Sequence, residues 1–138
     1  MPQRAYADSK GYKFHIGSYM IPHPEKAYKG GEDSLSARSN FMAVCDGVGG
    51  WANRGIDTGR YSKQLMRFMV EEYAKDPDDL PREILARADQ RTTTLGSSTA
   101  VIAILDHNTG ELRTTNLGDS GYMILRPNSD EKSLTKLH

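Results

Sequence analysis

The sequence predicts a mixed α+β fold in which strands come first, two helices follow, and further strands complete the chain. Alternating residues from Tyr12 to Met20 and an apolar run from Phe41 to Cys45 predict two early strands, the second buried on both faces. Between Asp57 and Ala88 the apolar residues recur every three or four positions, which is typical of amphipathic helices. Three short apolar segments separated by turn residues follow.

Two helices are expected in the middle of the chain. The first begins at Asp57 or Thr58, either of which can cap it, and ends at Pro77. The second begins at Pro81, because proline suits the first turn of a helix. Its apolar face is predicted to carry Ile84, Leu85 and Ala88.

Three strands are expected after the helices, over Thr99 to Leu105, Leu112 to Leu117 and Gly121 to Leu125. The segments that separate them are Asn108-Thr109-Gly110 and Gly118-Asp119-Ser120. Residues of these types favour tight hairpin turns. The three strands are therefore predicted to form a meander.

The charge balance and the cysteine content exclude several classes of protein. Lysine plus arginine equals aspartate plus glutamate at 18 each, so no nucleic-acid partner is expected. No stretch approaches the roughly 20 apolar residues of a spanning helix, so membrane insertion is not expected. The single cysteine, Cys45, lies in an apolar run and is expected to be a small core residue. An intracellular location is expected from this single cysteine. Residues 1–20 resemble neither a secretory signal nor a clear transit peptide.

Acidic residues lie at three places where a firm backbone presents a side chain to solvent. Glu32 and Asp33 follow two glycines, Asp46 ends the apolar strand, and Asp119 lies in the last predicted turn. Singly, each has an ordinary explanation as a turn or solvated loop residue. Together with the glycine carbonyl after Asp46, they supply the oxygen ligands that Mg²⁺ and Mn²⁺ prefer. A pair of such ions can promote phosphate-ester hydrolysis by water.

A serine nucleophile is the less favoured alternative. Ser97, Ser98 and Ser120 have no nearby histidine or cysteine motif of the kind that marks an activated nucleophile. The four histidines show no metal-ligand spacing.

Four segments together resemble the metal-dependent protein phosphatases of the PPM, or type 2C, class. The segment Val44 to Trp51 resembles the family's Asp-Gly metal motif, and with Gly55-Ile56-Asp57 it resembles the organelle-type branch. The other matching segments are Pro22-His23-Pro24 with Gly30-Gly31-Glu32-Asp33, Leu95 to Ala100, and Asn116 to Gly121. All four occur in the family's order across nearly the whole chain.

The resemblance implies a fold and an activity. The fold is a β-sandwich of antiparallel sheets flanked by helices, and residues 1–138 are expected to form the N-terminal portion of an incomplete domain. The implied activity is hydrolysis of phosphoserine or phosphothreonine in a phosphoprotein substrate. It uses two Mn²⁺ or Mg²⁺ ions, with a weaker third position, and a metal-activated water. A mitochondrial location would suit the organelle-type branch.

Individual roles follow from the same resemblance. Glu32 matches a ligand of one metal ion, Asp46 matches the carboxylate that bridges two, and Gly47 contributes its carbonyl oxygen. Asp33 matches a group that orients the metal-bound waters. Asp119 matches a residue of the third metal position.

Two departures from the family pattern keep a second hypothesis open. Tyr28 stands where many members have an arginine that binds the substrate phosphate, and Lys29 is the expected substitute, with Lys26 an alternative. Two further aspartates that the family places in its second half have no counterpart here. The second hypothesis is therefore a pseudophosphatase, or an inactive fragment that acts as a regulatory or binding module.

Overall fold

The structure, a computed structural model, describes residues 11–127 and 134–137. Four strands of this part of the chain form one antiparallel sheet in sequence order, and two further strands form a separate ribbon. Short 3₁₀ helices occupy Pro24–Lys29 and Gly49–Arg54. The remaining elements are β1 (Ser34–Ala37), β2 (Phe41–Cys45), α1 (Thr58–Lys75), α2 (Pro81–Arg91), β3 (Ala100–Leu105), β4 (Leu112–Leu117), β5 (Ile124–Pro127) and β6 (Leu134–Leu137).

Both helices pack on the same face of the four-stranded sheet. Phe41 of β2 pairs with Ile104 of β3, and Ala43 pairs with Ile102, so these side chains point to one face. All four are buried against α1 and α2. The core that results is completed by Cys45, Leu65, Met66, Met69, Ile84, Leu85, Ala88 and Ala100.

The two helices agree closely with their predicted limits. Asp57 caps α1 by accepting a hydrogen bond from the backbone N–H of Gly59 at 3.1 Å, and Pro81 opens α2. Helix α1 ends at Lys75, shortly before Pro77. The predicted apolar face of α2 is buried, as Ile84, Leu85 and Ala88 show. Among the described residues, neither helix is both long and apolar enough to cross a membrane.

The predicted strand from Tyr12 to Met20 is wrong, because this segment adopts no strand. Isolated backbone bonds tie its beginning to loops, from Tyr12 N–H to the His107 carbonyl and from Phe14 N–H to the Ser39 carbonyl. A strand needs a neighbouring strand to continue such bonds into a ladder. The end of the segment instead borders a groove of about 670 Å³ beside β1 and β2.

Strand β2 forms as predicted, but the expectation that both of its faces are buried is wrong. Phe41, Ala43 and Cys45 face the helices, whereas Met42 is half-buried and Val44 is 51% exposed. Both of the latter side chains line the groove on the open face of the sheet.

The predicted meander is confirmed for its first two strands, β3 and β4, which pair in the expected antiparallel manner. It is wrong for the third. The segment Gly121 to Leu125 becomes strand only from Ile124, and this strand pairs with β6 rather than with β4. Gly118-Asp119-Ser120 is therefore not a hairpin turn. Ser120 instead lies beside the start of β3, where its Oγ is 2.6 Å from Oγ1 of Thr99.

A buried carboxylate joins the two helices. The side chain of Glu72 on α1 is 5% exposed and lies 2.6 Å from Lys75 Nζ. It also pairs with Arg87 at 2.9 Å and with Arg91 at 2.6 Å, both on α2. Hydrogen bonds from Lys75, then from Arg87 and Arg91, lower the pKa of Glu72 from 4.5 to about 2.

Glu72→Gln should therefore destabilise the protein in a pH-dependent way. Because the folded-state pKa is depressed, the stabilisation is present above pH 4.5 and is lost as the pH falls toward 2. Urea unfolding should show a deficit for the variant at pH 7 that shrinks at pH 3. Glu83→Gln, which removes an exposed pair with Arg82, is the matched control and should change little at either pH. A Glu72→Gln deficit that stays constant with pH would contradict the assignment.

Candidate metal centre

Strand pairing brings the two acidic motifs together. Glu32 and Asp33 directly precede β1, and Asp46 and Gly47 directly follow β2. Because β1 and β2 are antiparallel, with Ser34 opposite Cys45, the two motifs lie side by side at one end of the sheet. A cavity of about 250 Å³ opens there, lined by His23, Lys26, Glu32, Asp33, Asp46, Gly47 and Gly49. The structure thus gathers four of the predicted site residues.

Asp119 approaches the same end of the sheet from β4. Leu117 pairs with Ala100, so the residues after β4 lie beside those before β3. Thr99 precedes β3 and donates its backbone N–H to the carbonyl of Asp46 at 2.9 Å. The negative charge of Asp119 is close enough to raise the pKa of Asp46. This segment is not the predicted hairpin turn, but Asp119 does lie near Asp46.

The carboxylates interact electrostatically. Partial burial raises the pKa of the Asp46 carboxyl, and a hydrogen bond with Asp33 raises it further. The charges of Asp33, Asp119 and Glu32 act in the same direction. Like charges held this close destabilise the ionised forms, and a bound cation relieves that repulsion. The cluster is therefore suited to a positively charged ligand.

Glu32 is paired with two lysines. Its side chain is 6% exposed, and its two oxygens face Lys26 Nζ, in direct contact, and Lys29 Nζ, at 3.4 Å. Within residues 11–127 and 134–137, no group of three or more acidic, histidine or cysteine side chains is arranged to hold a metal ion. By donor type, the groups of the cavity lining that suit a hard divalent cation are the carboxylates of Glu32, Asp33 and Asp46 and the backbone oxygen of Gly47.

Lys29 lies beside the cavity and is held from two sides. Its Nζ is 2.8 Å from Oδ1 of Asp57, the residue that caps α1, and 3.4 Å from Glu32. The hydrogen bond to Asp57 is the main cause of the raised pKa of Lys29. Its predicted role in phosphate binding stays a prediction.

The N-terminal part of α1 holds the loop of Glu32 in place. Ser62, fully buried, donates its hydroxyl to the carbonyl oxygen of Glu32 at 2.5 Å. Ser34 in turn donates its hydroxyl to the carbonyl of Ser62 at 2.8 Å. Sequence analysis missed this role of α1. The sequence feature that could have indicated it is the presence of three small or polar residues on the buried, otherwise apolar face of the helix: Thr58, Gly59 and Ser62.

The loop after β2 is fixed through Ser97. Its carbonyl accepts bonds from the hydroxyl of Thr58 at 2.7 Å and from the N–H of Val48 at 3.0 Å. Its hydroxyl accepts the indole N–H of Trp51 at 2.7 Å. Trp51 lies outside the cavity lining, so it supports the loop without bordering the carboxylates.

Cys45 is a core residue, as predicted. It is fully buried, and burial raises the pKa of its thiol to about 12. The thiol is therefore neutral at physiological pH and is not a nucleophile.

Comparison with known proteins identifies the family. The family model described as protein phosphatase 2C matches residues 18–138. The chain belongs to the protein phosphatase 2C family. Probable protein phosphatase 2C 55 of Arabidopsis thaliana is 43% identical over 122 residues, covering 86% of the chain and 26% of that protein. Probable protein phosphatase 2C 80 of the same plant is 37% identical over 130 residues, covering 91% of the chain and 31% of that protein.

Solved structures of the family confirm the predicted fold class. The photosystem II phosphatase PBCP is 36% identical, with a TM-score of 0.66 over 73% of this chain and 41% of that chain. The PPM Ser-Thr phosphatase MsPP from Mycobacterium smegmatis is 22% identical, with a TM-score of 0.50, and supports the fold alone. It covers 78% of this chain and 46% of that one. The chain thus spans less than half the length of the relatives and structures that it matches here.

Gly47→Ala should damage the site by steric overlap. A Cβ atom at this position would lie 2.5 Å from the carbonyl oxygen of Glu32 and 3.1 Å from Cγ2 of Thr58. We expect the free energy of unfolding to fall by about 1–3 kcal/mol, because backbone and α1 resist the shift. Gly50→Ala is the matched control, since no atom of the described residues lies within 4 Å of its added Cβ. Urea unfolding that gives the two variants equal stability would contradict this packing.

Proposed function

We propose that this chain supplies one half of the active site of a metal-dependent protein serine/threonine phosphatase. The observation that supports the proposal is the β1–β2 pairing, which brings Glu32 and Asp33 beside Asp46 and Gly47 in one cavity. Membership of the protein phosphatase 2C family supports a phosphoprotein as the substrate. The proposed cofactors are two Mn²⁺ or Mg²⁺ ions, with Asp119 near a third position.

Each residue has a definite part in this proposal. Glu32 and Asp46 would hold the cations, with the carbonyl oxygen of Gly47 as a neutral ligand. Asp33, which lies close enough to Asp46 to raise the pKa of that carboxyl, would orient nearby water. When bound, the divalent ions would acidify water and neutralise phosphate charge. Ser62 would fix the loop of Glu32, and Ser97 would fix the loop after β2, through hydrogen bonds to the Glu32 carbonyl and from the Val48 N–H.

The chain alone is not expected to catalyse the reaction. The family resemblance implies that further aspartate ligands come from the second half of the domain, and the chain spans 26% and 31% of two curated relatives. We therefore propose the activity for an extended protein, in which this chain is joined to the C-terminal remainder of a protein phosphatase 2C domain. We expect no measurable Mn²⁺-dependent phosphopeptide hydrolysis from the 138-residue chain by itself.

Asp46→Asn in the extended protein should abolish most of the activity. The substitution keeps the shape of the side chain but removes the charge that would bridge two cations. We expect kcat/KM for a phosphoserine peptide with Mn²⁺ to fall on the order of 100-fold or more, with folding intact.

Asp78→Asn is the matched control, because Asp78 lies in the exposed turn between α1 and α2. It removes the same charge far from the cavity and should retain wild-type turnover. Unchanged Mn²⁺-dependent turnover in Asp46→Asn would refute the proposed mechanism. Absence of turnover in the otherwise intact extended protein would favour the second hypothesis, a pseudophosphatase with a regulatory or binding role.

A further inference from the structure

Lys26 lies inside the candidate site rather than at its edge. It lines the cavity together with Glu32, Asp33 and Asp46. Its ammonium group contacts Oε2 of Glu32, and its side chain is 28% exposed whereas that of Glu32 is 6% exposed. A lysine therefore neutralises the same carboxylate that the proposed function assigns to a metal ion.

The loop after β2 leaves space for this ammonium group. A Cβ atom added at Gly49 would lie 2.9 Å from Lys26 Nζ and 3.3 Å from Oε2 of Glu32. A side chain at position 49 would thus contact the Lys26–Glu32 pair unless the lysine moved aside. The glycine-rich loop accommodates a cationic side chain as well as the carboxylates.

Lys29 differs from Lys26 in how it is held. Its main contact is with Asp57 at 2.8 Å, and its contact with Glu32 is longer, at 3.4 Å. Asp57 is itself fixed as the cap of α1. If Glu32 became a metal ligand, Lys29 would retain Asp57, whereas Lys26 would lose the carboxylate that it contacts.

We propose that Lys26 is the phosphate-binding cation of this site, released from Glu32 when a metal ion binds there. The inference rests on the proposed function and assigns the missing arginine's task to Lys26 rather than to Lys29. A lysine is a compact charge on a flexible stem, so it can exchange one anionic partner for another within a cavity. Its charge-assisted bonds to phosphate oxygens are of the same kind as its bond to Glu32.

Two consequences follow from this exchange. Lys26 and the metal ion compete for Glu32, so removing the lysine should strengthen metal binding. The phosphate, by contrast, gains Lys26 only after the metal ion has displaced it. Phosphate binding to the metal-loaded site should therefore weaken when the lysine is removed.

The test is calorimetric titration of the extended protein, first with Mn²⁺ and then, in the Mn²⁺-loaded state, with inorganic phosphate. Lys26→Met should bind Mn²⁺ about three- to tenfold more tightly and phosphate about three- to tenfold more weakly than the wild type. Lys26→Arg keeps the charge and should restore both affinities toward wild-type values. Lys13→Met removes a lysine that lies outside the cavity lining and should match the wild type in both titrations.

An unchanged or weaker Mn²⁺ affinity in Lys26→Met would overturn the competition with metal. An unchanged phosphate affinity would overturn the phosphate-binding role, whatever happened to the metal. Equal Mn²⁺ affinity in wild type and Asp46→Asn is a separate result. It would refute the metal centre itself, and this inference with it.

Discussion

The antiparallel pairing of β1 with β2 is the interaction on which the candidate site depends. The two strands are short, and the residues that matter lie just beyond their paired ends, at Asp33 and Asp46. A shift of one residue in register would turn alternate side chains to the opposite face and separate the two acidic motifs. Burial stabilises this arrangement, because Phe41, Ala43 and Cys45 of β2 must all face the helices to be buried in the core.

Helix α1 connects this pairing to the chemistry of the site. Most of its buried face is apolar, but its first turns carry buried polar groups at Thr58 and Ser62. The Ser62 hydroxyl donates to the carbonyl of Glu32, which lines the cavity. The Thr58 hydroxyl donates to the carbonyl of Ser97, which also accepts the N–H of Val48 in the loop after β2. Buried hydroxyls cost free energy unless they are hydrogen-bonded, so the site loops and the helix stabilise one another. The core and the site are therefore one structural unit.

The sheet has two unlike faces. One face is closed by the helices, while the other carries the exposed Val44 and the groove beside β1 and β2. An open apolar face of this kind is what one sheet of a β-sandwich presents to the other. The family resemblance led us to expect such a sandwich, and the chain covers less than half of each family structure compared with it.

Much of this arrangement was predictable from sequence, and the exceptions have physical causes. Both helices were predictable because capping residues and prolines act locally, and β2 to β4 were predictable from short apolar runs between turns. The strand predictions for Tyr12 to Met20 and Gly121 to Leu125 were wrong because a local pattern of apolar residues does not specify a partner strand. The grouping of Glu32 with Asp46 followed from motif resemblance. The contact between Lys26 and Glu32 did not, since it depends on how the 3₁₀ turn at Pro24–Lys29 folds back onto the cavity.

The existence of a metal centre at this end of the sheet can be tested by anomalous diffraction from crystals of the extended protein grown with Mn²⁺. We expect an anomalous peak in the cavity, bounded by the carboxylates of Glu32 and Asp46 and the carbonyl oxygen of Gly47, with Lys26 turned away from Glu32. Anomalous peaks confined to surface histidines, with Lys26 still paired to Glu32 at saturating Mn²⁺, would contradict this assignment.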